Sequence, residues 1–299
     1  VPCAIRRALG YDGSGFTPGT DRAPEENKMR LTLLGTGNAL VTECYNTCFV
    51  ISDEKNGEAR HLLVDGGGGN GILRQLKLAG IDPHDIHEVF VTHKHLDHLM
   101  GVVWMVRVIC QRMAQGTYQG EAWFYGHDEV IGLLGTMAEQ LLTSKQTAFI
   151  GTHVHLVTVE DGERRRLIGH EVTFFDIRST KARQFGFSME LDGEGRRLTC
   201  CGDEPYAEHE RPYAEGATWL LHEAFCLRSQ ADVFHPYEKS HSTVADACEL
   251  AENLGVKNLV LYHTEDRNIA RRRELYLAEG APLYHGNLYV PDDLEVIEL

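Results

Sequence analysis

The sequence predicts an α/β protein built from layered sheets. Short apolar runs with strand character alternate with helix-spaced segments along most of the chain. Across its 299 residues no internal repeat is visible and no Pro/Ser-rich linker divides it, so one large domain accounts for the length. A hydrophobic content of 42% is enough to give such layers a buried core.

The elements follow in order. Residues Val1–Lys28 are rich in Gly, Pro and charge and lack an apolar signal region. They read as an N-terminal extension, either upstream of a natural start at Met29 or an arm that packs on a partner subunit. The domain proper is expected over 29–299. Leu31–Leu34, Thr47–Ser52 and His61–Val64 are strands bounded by Gly, Asn or charged turns. Gly35-Thr36-Gly37-Asn38 is a tight loop that lacks the Lys-Ser/Thr of a phosphate-binding loop. Asp65 ends a strand and meets Gly66-Gly67-Gly68-Gly69, a run that lets backbone pass close to another loop. Ile72–Ala79 has helical spacing and stops at Gly80; Val89–Thr92 is a strand; Val102–Met113 is an apolar helix. Ala122–Tyr125 is a strand and Glu129–Leu142 a helix. Strands are then expected at His153–Val159, Glu171–Ile177, Phe185–Leu191, Arg197–Cys201, Thr218–His222, Asn258–Tyr262 and Leu294–Ile297, with helices at Val244–Asn253 and Ile269–Ala278. The two basic runs, Arg164-Arg165-Arg166 and Arg271-Arg272-Arg273, read as a solvated turn and a solvated helix face.

The chemistry concentrates in His93-Lys94-His95-Leu96-Asp97-His98, directly after an apolar strand. A loop leaving a strand can aim three imidazoles and a carboxylate at one point, and these are the donors that a borderline divalent ion takes. Leu198–Cys201 stops at Gly202-Asp203, and Leu259–Tyr262 stops at His263. If these strands end at the same edge of the layers, His93, His95, Asp97, His98, Asp203 and His263 share one metal site.

Composition narrows the partners. A formal charge of -15 disfavours binding dominated by nucleic-acid phosphates, although bound metal would add positive charge that this number omits. No apolar run is long enough to span a membrane. The eight cysteines show no CxxC spacing, which argues against a cysteine zinc site and for reduced, mostly buried thiols in a cytoplasmic protein.

The motif His93–His98 resembles the HxHxDH signature of the metallo-β-lactamase superfamily. Asp65 before glycines, Gly202-Asp203 and the strand-terminal His263 match further motifs of that superfamily in the same order. Leu221-His222-Glu223-Ala224-Phe225 and His241-Ser242-Thr243 are similar to the paired HEAT and HST loops of its ribonuclease Z branch, with Phe225 where Thr would complete the first pattern. The resemblance implies a four-layer αββα sandwich and two adjacent metal ions, expected to be Zn2+, with Mn2+ or Fe2+ as alternatives. It implies that His93 and His95 hold the first ion, that Asp97, His98 and His263 hold the second, that Asp203 bridges them, and that Asp65 orients a histidine from behind. It further implies a metal-bridged hydroxide as nucleophile, positioned by Asp97, and a leaving-group proton supplied by His241 with Glu223 behind it. A homodimer is the family's usual assembly.

Two departures qualify the resemblance. The family supplies a third histidine to the first metal shortly before a Gly-aromatic pair, but the stretch Phe174–Phe187 contains none, and Arg178 or a near neighbour stands in its place. A guanidinium has no lone pair to donate. The first ion would then be held weakly, or completed by His153, His155 or His170, or the basic residues Arg178 and Lys181 bind an anionic group of the substrate instead. The interval from Arg178 to Asp203 is also too short for the tRNA-gripping arm of bacterial ribonuclease Z. The expected function is therefore hydrolysis of small or short phosphodiester-type substrates, with tRNA disfavoured. The alternatives are a lactone, thioester or β-lactam hydrolase and a catalytically impaired metal-binding scaffold. A diiron redox protein would require Glu in place of His95.

Overall fold

Residues 28–299 are described by a computed structural model. The strands in chain order are β1 (Lys28–Gly35), β2 (Cys48–Lys55), β3 (Glu58–Val64), β4 (Ile86–Phe90), β5 (Ala122–Gly126), β6 (Val154–Thr158), β7 (Arg164–Leu167), β8 (His170–Asp176), β9 (Phe185–Glu190), β10 (Arg197–Cys200), β11 (Trp219–Glu223), β12 (Asn258–Tyr262), β13 (Asn287–Tyr289) and β14 (Val296–Glu298). They form two seven-stranded sheets, ordered β14-β1-β2-β3-β4-β5-β6 and β13-β12-β11-β10-β9-β8-β7. Each sheet is antiparallel on one side and parallel on the other. β3 to β6 run parallel in the first, and β10 to β13 in the second.

Alternation along the strands explains the layering. Phe49 and Ile51 of β2 and Leu62 and Val64 of β3 face Trp219 and Leu221 of β11 and Val260 and Tyr262 of β12 in one core between the sheets. The intervening residues Val50 and Leu63 meet the helices Gly71–Leu78, Leu96–Ala114 and Asp128–Leu141 on the outer face of the first sheet. Leu220, Leu259 and Leu261 meet the helices Val244–Asn253 and Arg272–Gly280 on the outer face of the second. Both faces of the parallel strands are covered, so their sequences read as continuous apolar runs. The result is an αββα sandwich, as expected from the sequence.

Several local expectations are corrected. Arg164–Leu167 is an edge strand, not a turn; Arg164 and Arg165 pair with Glu171 and Glu163. Arg272 is not solvated: it is 1% exposed, and its guanidinium donates to Thr36 Oγ1 (3.0 Å), Thr264 Oγ1 (2.7 Å) and the Pro291 carbonyl (2.8 Å). The strand β13 has no apolar run of its own and was not expected. The helix over Val102–Met113 begins earlier, at Leu96, so half of the histidine motif is helical.

The glycine run performs the close approach anticipated for it, against that helix. A Cβ on Gly101 would sit 1.8 Å from the Gly66 carbonyl oxygen, and the Gly66 amide donates to the His98 carbonyl at 2.9 Å. This contact fixes Asp65 beside the first turn of the helix.

Candidate metal centre

The parallel strands of both sheets point their carboxyl ends at one edge. β3 delivers Asp65 there and β4 leads to His93. β10 leads to Asp203, β11 ends on Glu223 and β12 is followed by His263. Ligand sites in such sheets lie outside the carboxyl ends of the strands. His95 is the N-cap of the helix Leu96–Ala114, and Asp97 and His98 lie in its first turn.

The six expected ligands converge. His93 Nε2 lies 3.6 Å and His98 Nε2 3.5 Å from Asp203 Oδ2. His263 Nε2 is 3.4 Å from both Asp97 Oδ2 and Asp203 Oδ2, and His98 Nε2 is 3.4 Å from Asp97 Oδ2. His95 Nδ1 lies 2.8 Å from His93 Nε2. Three groups among the described residues offer ligand atoms within 4.8 Å of one another: His93, His98 and Asp203; Asp97, His98 and His263; and Glu223, His241 and His263. All of these are buried, whereas His95 is half-buried.

Asp65 explains how the ring nitrogens are presented. Its carboxylate accepts from the Thr92 amide (2.8 Å), the Thr92 hydroxyl (2.7 Å) and His98 Nδ1 (2.7 Å). A carboxylate only accepts, so Nδ1 of His98 carries the proton and its Nε2 lone pair faces Asp97 and Asp203. The Thr92 hydroxyl, its proton spent on Asp65, accepts from His93 Nδ1 at 2.9 Å, which turns the His93 Nε2 lone pair toward Asp203. One buried carboxylate thus sets two tautomers.

The residues fit a metal on this ground. His98 Nε2 is buried with no hydrogen-bond partner and is aimed into a cluster of carboxylates and imidazoles. Without an ion, the carboxylates around His98 favour a proton on its ring. Burial would lower the His98 pKa, but Asp97 and Asp65 outweigh it and hold the imidazole well above its usual range. Burial would raise Asp203, yet His93 and the neighbouring histidines hold it well below the carboxylate range. A divalent ion would replace those protons.

Glu223 and His241 form a dyad beside the cluster. His241 Nδ1 is 3.4 Å from Glu223 Oε2 without a hydrogen bond between them, Glu223 accepts from the Ser242 amide through its other oxygen, and the His241 ring is 5.1 Å from that of His263. Burial pushes Glu223 up to about 8 and, helped by the Lys181 charge, pushes His241 down to about 4. A neighbouring carboxylate would raise the basicity of His241, but desolvation outweighs that effect. Phe225 stacks on the His241 ring at 4.8 Å and 8°. The helix after His241 is capped by Thr243, whose hydroxyl accepts from the Asp246 amide, so His241 is free of any capping role.

The gap in the first-metal ligands persists. Arg178 is exposed, with φ 57°, and among the described residues its side chain forms no ion pair. Lys181 reaches inward: its Nζ donates to the Lys239 carbonyl at 2.9 Å and lies 3.7 Å from Glu204 Oε1. It thereby ties together the loops carrying His241 and Asp203. The candidate replacements are elsewhere. His153 bonds Thr152, His155 bonds Glu121, and His170 is held between Asp53 and the Glu190 carbonyl. Sequence reasoning missed His127. It follows β5 at the same edge, is fully buried against Phe185, and neither ring nitrogen has a hydrogen-bond partner. Its signal was the one used for Asp203 and His263, an apolar strand that stops at a polar residue.

A beta-lactamase superfamily domain matches residues 60–264. The chain belongs to the beta-lactamase superfamily. Within this superfamily, ribonuclease Z of Thermobifida fusca is 24% identical over 303 residues, covering 88% of this chain and 92% of that protein. Ribonuclease Z of Methanothermobacter thermautotrophicus is 26% identical over 314 residues, covering 91% and 97%. Among solved structures, the metallo-beta-lactamase fold protein YhfI from Bacillus subtilis superposes with a TM-score of 0.72 at 16% identity, over 91% of this chain and 100% of that one. A diphosphatase from the PhnP family gives 0.68 at 16% identity, over 91% and 97%. The fold and the clustered metal donors of this superfamily member support a metal-dependent hydrolase.

Proposed function

We propose that the protein hydrolyses phosphodiester-type substrates with two divalent ions. The observation that carries this reading is the Glu223–His241 dyad beside His263, because an alkoxide leaving group needs a proton and an activated acyl group does not. His93, His95 and Asp203 would hold one ion, and Asp97, His98, His263 and Asp203 the other. The imidazole and carboxylate donors suit zinc, with manganese or iron(II) as substitutes. Bound metal would polarise the phosphoryl oxygen and ionise a water near neutral pH. Asp97 would orient the attacking water and accept its proton. The dyad holds one proton as a unit, and His241 delivers it to the departing oxygen. Lys181, beside His95 and His241, offers a cation to a non-bridging phosphate oxygen and so compensates for the missing third histidine. Between Arg178 and Asp203 the chain forms only β9, β10 and their turn, and the charge of -15 does not favour a long polyanion. We therefore assign a short or small substrate rather than tRNA. The described cysteines are free thiols, which suits the cytoplasm, and we expect a homodimer. No described helix is long and apolar enough to cross a membrane.

The test compares leaving groups. His241→Ala should slow an alkyl phosphodiester by about 10²–10⁴-fold, the usual range for a lost general acid, and leave a nitrophenyl diester nearly unaffected. Equal slowing of the two would remove His241 from this role. Hydrolysis of a lactone or thioester in preference to every phosphodiester would overturn the substrate class.

A further inference from the structure

A cavity lies at the end of the sandwich away from the metal centre. The strands β3 and β4 carry Asp65 and His93 at their carboxyl ends. Their opposite ends, with the β7–β8 hairpin, enclose a cavity of about 470 Å3 lined by Arg60, His61, Asp85, His87, Glu88 and Arg166, among others. That volume lies within the range of small-molecule sites, roughly 300–1,000 Å3.

Its side chains are held ready without being neutralised. Among the described residues neither Arg60 nor Arg166 takes part in an ion pair, although Arg164 and Arg165, next to Arg166, both do. His61 is anchored through Nδ1 to Ser52 Oγ at 2.8 Å, and His87 through Nδ1 to Tyr118 Oη at 2.9 Å and the Glu121 carbonyl at 3.0 Å. Both anchored rings line the cavity. The bulge between β3 and β4, where His61 pairs with Ile86 and Leu62 with Glu88, leaves His87 outside the ladder. On the hairpin side, Glu88 accepts from the Ile168 amide, and Ile168 is buried with φ 45°. A β-branched residue rarely adopts that conformation, so the hairpin tip is held at the cavity wall against its own preference.

We propose that this cavity binds a small phosphate monoester whose other end carries hydrogen-bond donors. Two guanidinium groups that form no ion pair suit a phosphate dianion, which planar forks engage through paired hydrogen bonds. The imidazoles supply further polar contacts. Asp85 and Glu88 line the same cavity without forming an ion pair with either arginine, although the Arg60 charge acts on Glu88, and they accept from hydroxyl or amino groups of the ligand. A nucleoside monophosphate has this polarity. The site shares no residue with the metal centre and does not depend on the activity proposed for it.

The probes are adenosine 5′-monophosphate and inorganic phosphate, titrated calorimetrically into the full metal-loaded chain. One saturable equivalent of the nucleotide is expected, bound more tightly than phosphate. In the Arg60→Gln/Arg166→Gln double variant its affinity should fall at least about tenfold, since each charge-assisted bond lost is a sizeable fraction of a weak binding energy. Both arginines are exposed, so an unchanged melting temperature confirms that the variant is folded. In His263→Ala, which disrupts the metal centre, nucleotide binding should persist. Undiminished binding in the arginine variant, loss of binding in His263→Ala, equal affinity for phosphate and nucleotide, or absence of saturable binding would each overturn the proposal.

Discussion

Asp65→Asn tests the organisation of the metal centre most directly. The substitution preserves shape, and Asn tolerates the left-handed φ of 57° found at this position. It cannot preserve the hydrogen bonds. One carboxylate oxygen serves the Thr92 amide, and the other serves both the Thr92 hydroxyl and His98 Nδ1. If the new amide nitrogen faces His98, the imidazole must accept at Nδ1, and its proton moves to the Nε2 that should ligate metal. If the amide is flipped, the buried Thr92 N–H is orphaned, at a cost of about 1–3 kcal/mol. The first arrangement keeps the fold and damages the ligand; the second does the reverse. We expect metal affinity to drop about 10–100-fold, the usual effect of losing such a support. That is about 1.4–2.7 kcal/mol, at 1.36 kcal/mol per decade. Competition against a chelator of known affinity measures it, with metal content counted in parallel. Affinity within about twofold of the parent, with metal-free stability lowered by less than about 0.5 kcal/mol, would show that Asp65 does not set the tautomers.

Three further outcomes follow from the geometry. Gly101→Ala should cost at least about 3 kcal/mol and weaken metal binding, because its Cβ would meet the Gly66 carbonyl at 1.8 Å and neither backbone segment can yield; a stable variant with normal metal affinity would contradict this. Arg272→Met should destabilise the protein by about 3–5 kcal/mol in denaturant titration, since Thr36, Thr264 and the Pro291 carbonyl lose a buried charged partner, and a cost below about 1 kcal/mol would argue against that role. The pH profile should carry the dyad's signature. Glu223, raised to about 8 by burial, keeps its proton below that pH and loses it above, so turnover of alkyl diesters should decline through about pH 8. In Glu223→Gln the remaining donor is His241, lowered to about 4, and the decline should move toward acid; an unmoved alkaline limb would assign it to another group.

What could be seen in the sequence follows from how local the determinants are. The motif His93–His98 is contiguous, and Asp203 and His263 announce themselves by ending apolar strands, so the residues that cluster at the candidate metal centre were legible before any coordinates. The sheets were legible because both faces of the parallel strands are buried, which writes them as unbroken apolar runs. Arg272 was not legible. Its partners Thr36 and Pro291 come from opposite ends of the domain, and a run of three arginines looks solvated until those partners are assembled around it. β7 was hidden because an edge strand paired on one side needs little apolar pattern. The protonation of the dyad was not legible for a related reason: its sign depends on how dry the site is, which no spacing of residues records. His127 was passed over because its strand is short and no familiar motif drew attention to it.

The arrangement of ligands across two sheets links metal supply to folding. His93, His95, Asp97 and His98 belong to the first sheet and its helix, while Asp203 and His263 belong to the second. An ion held by both would be a noncovalent crosslink between halves that already meet through apolar side chains and through hydrogen bonds such as Arg272 to Thr36 and the Ile168 amide to Glu88. Unfolding scatters the donors, so free ion at a hundredfold excess over its dissociation constant adds about 2.7 kcal/mol to the native state. Chelation should therefore lower the melting temperature of the whole domain rather than loosen one edge of it, and the midpoint will track free metal concentration as a built-in gauge of occupancy.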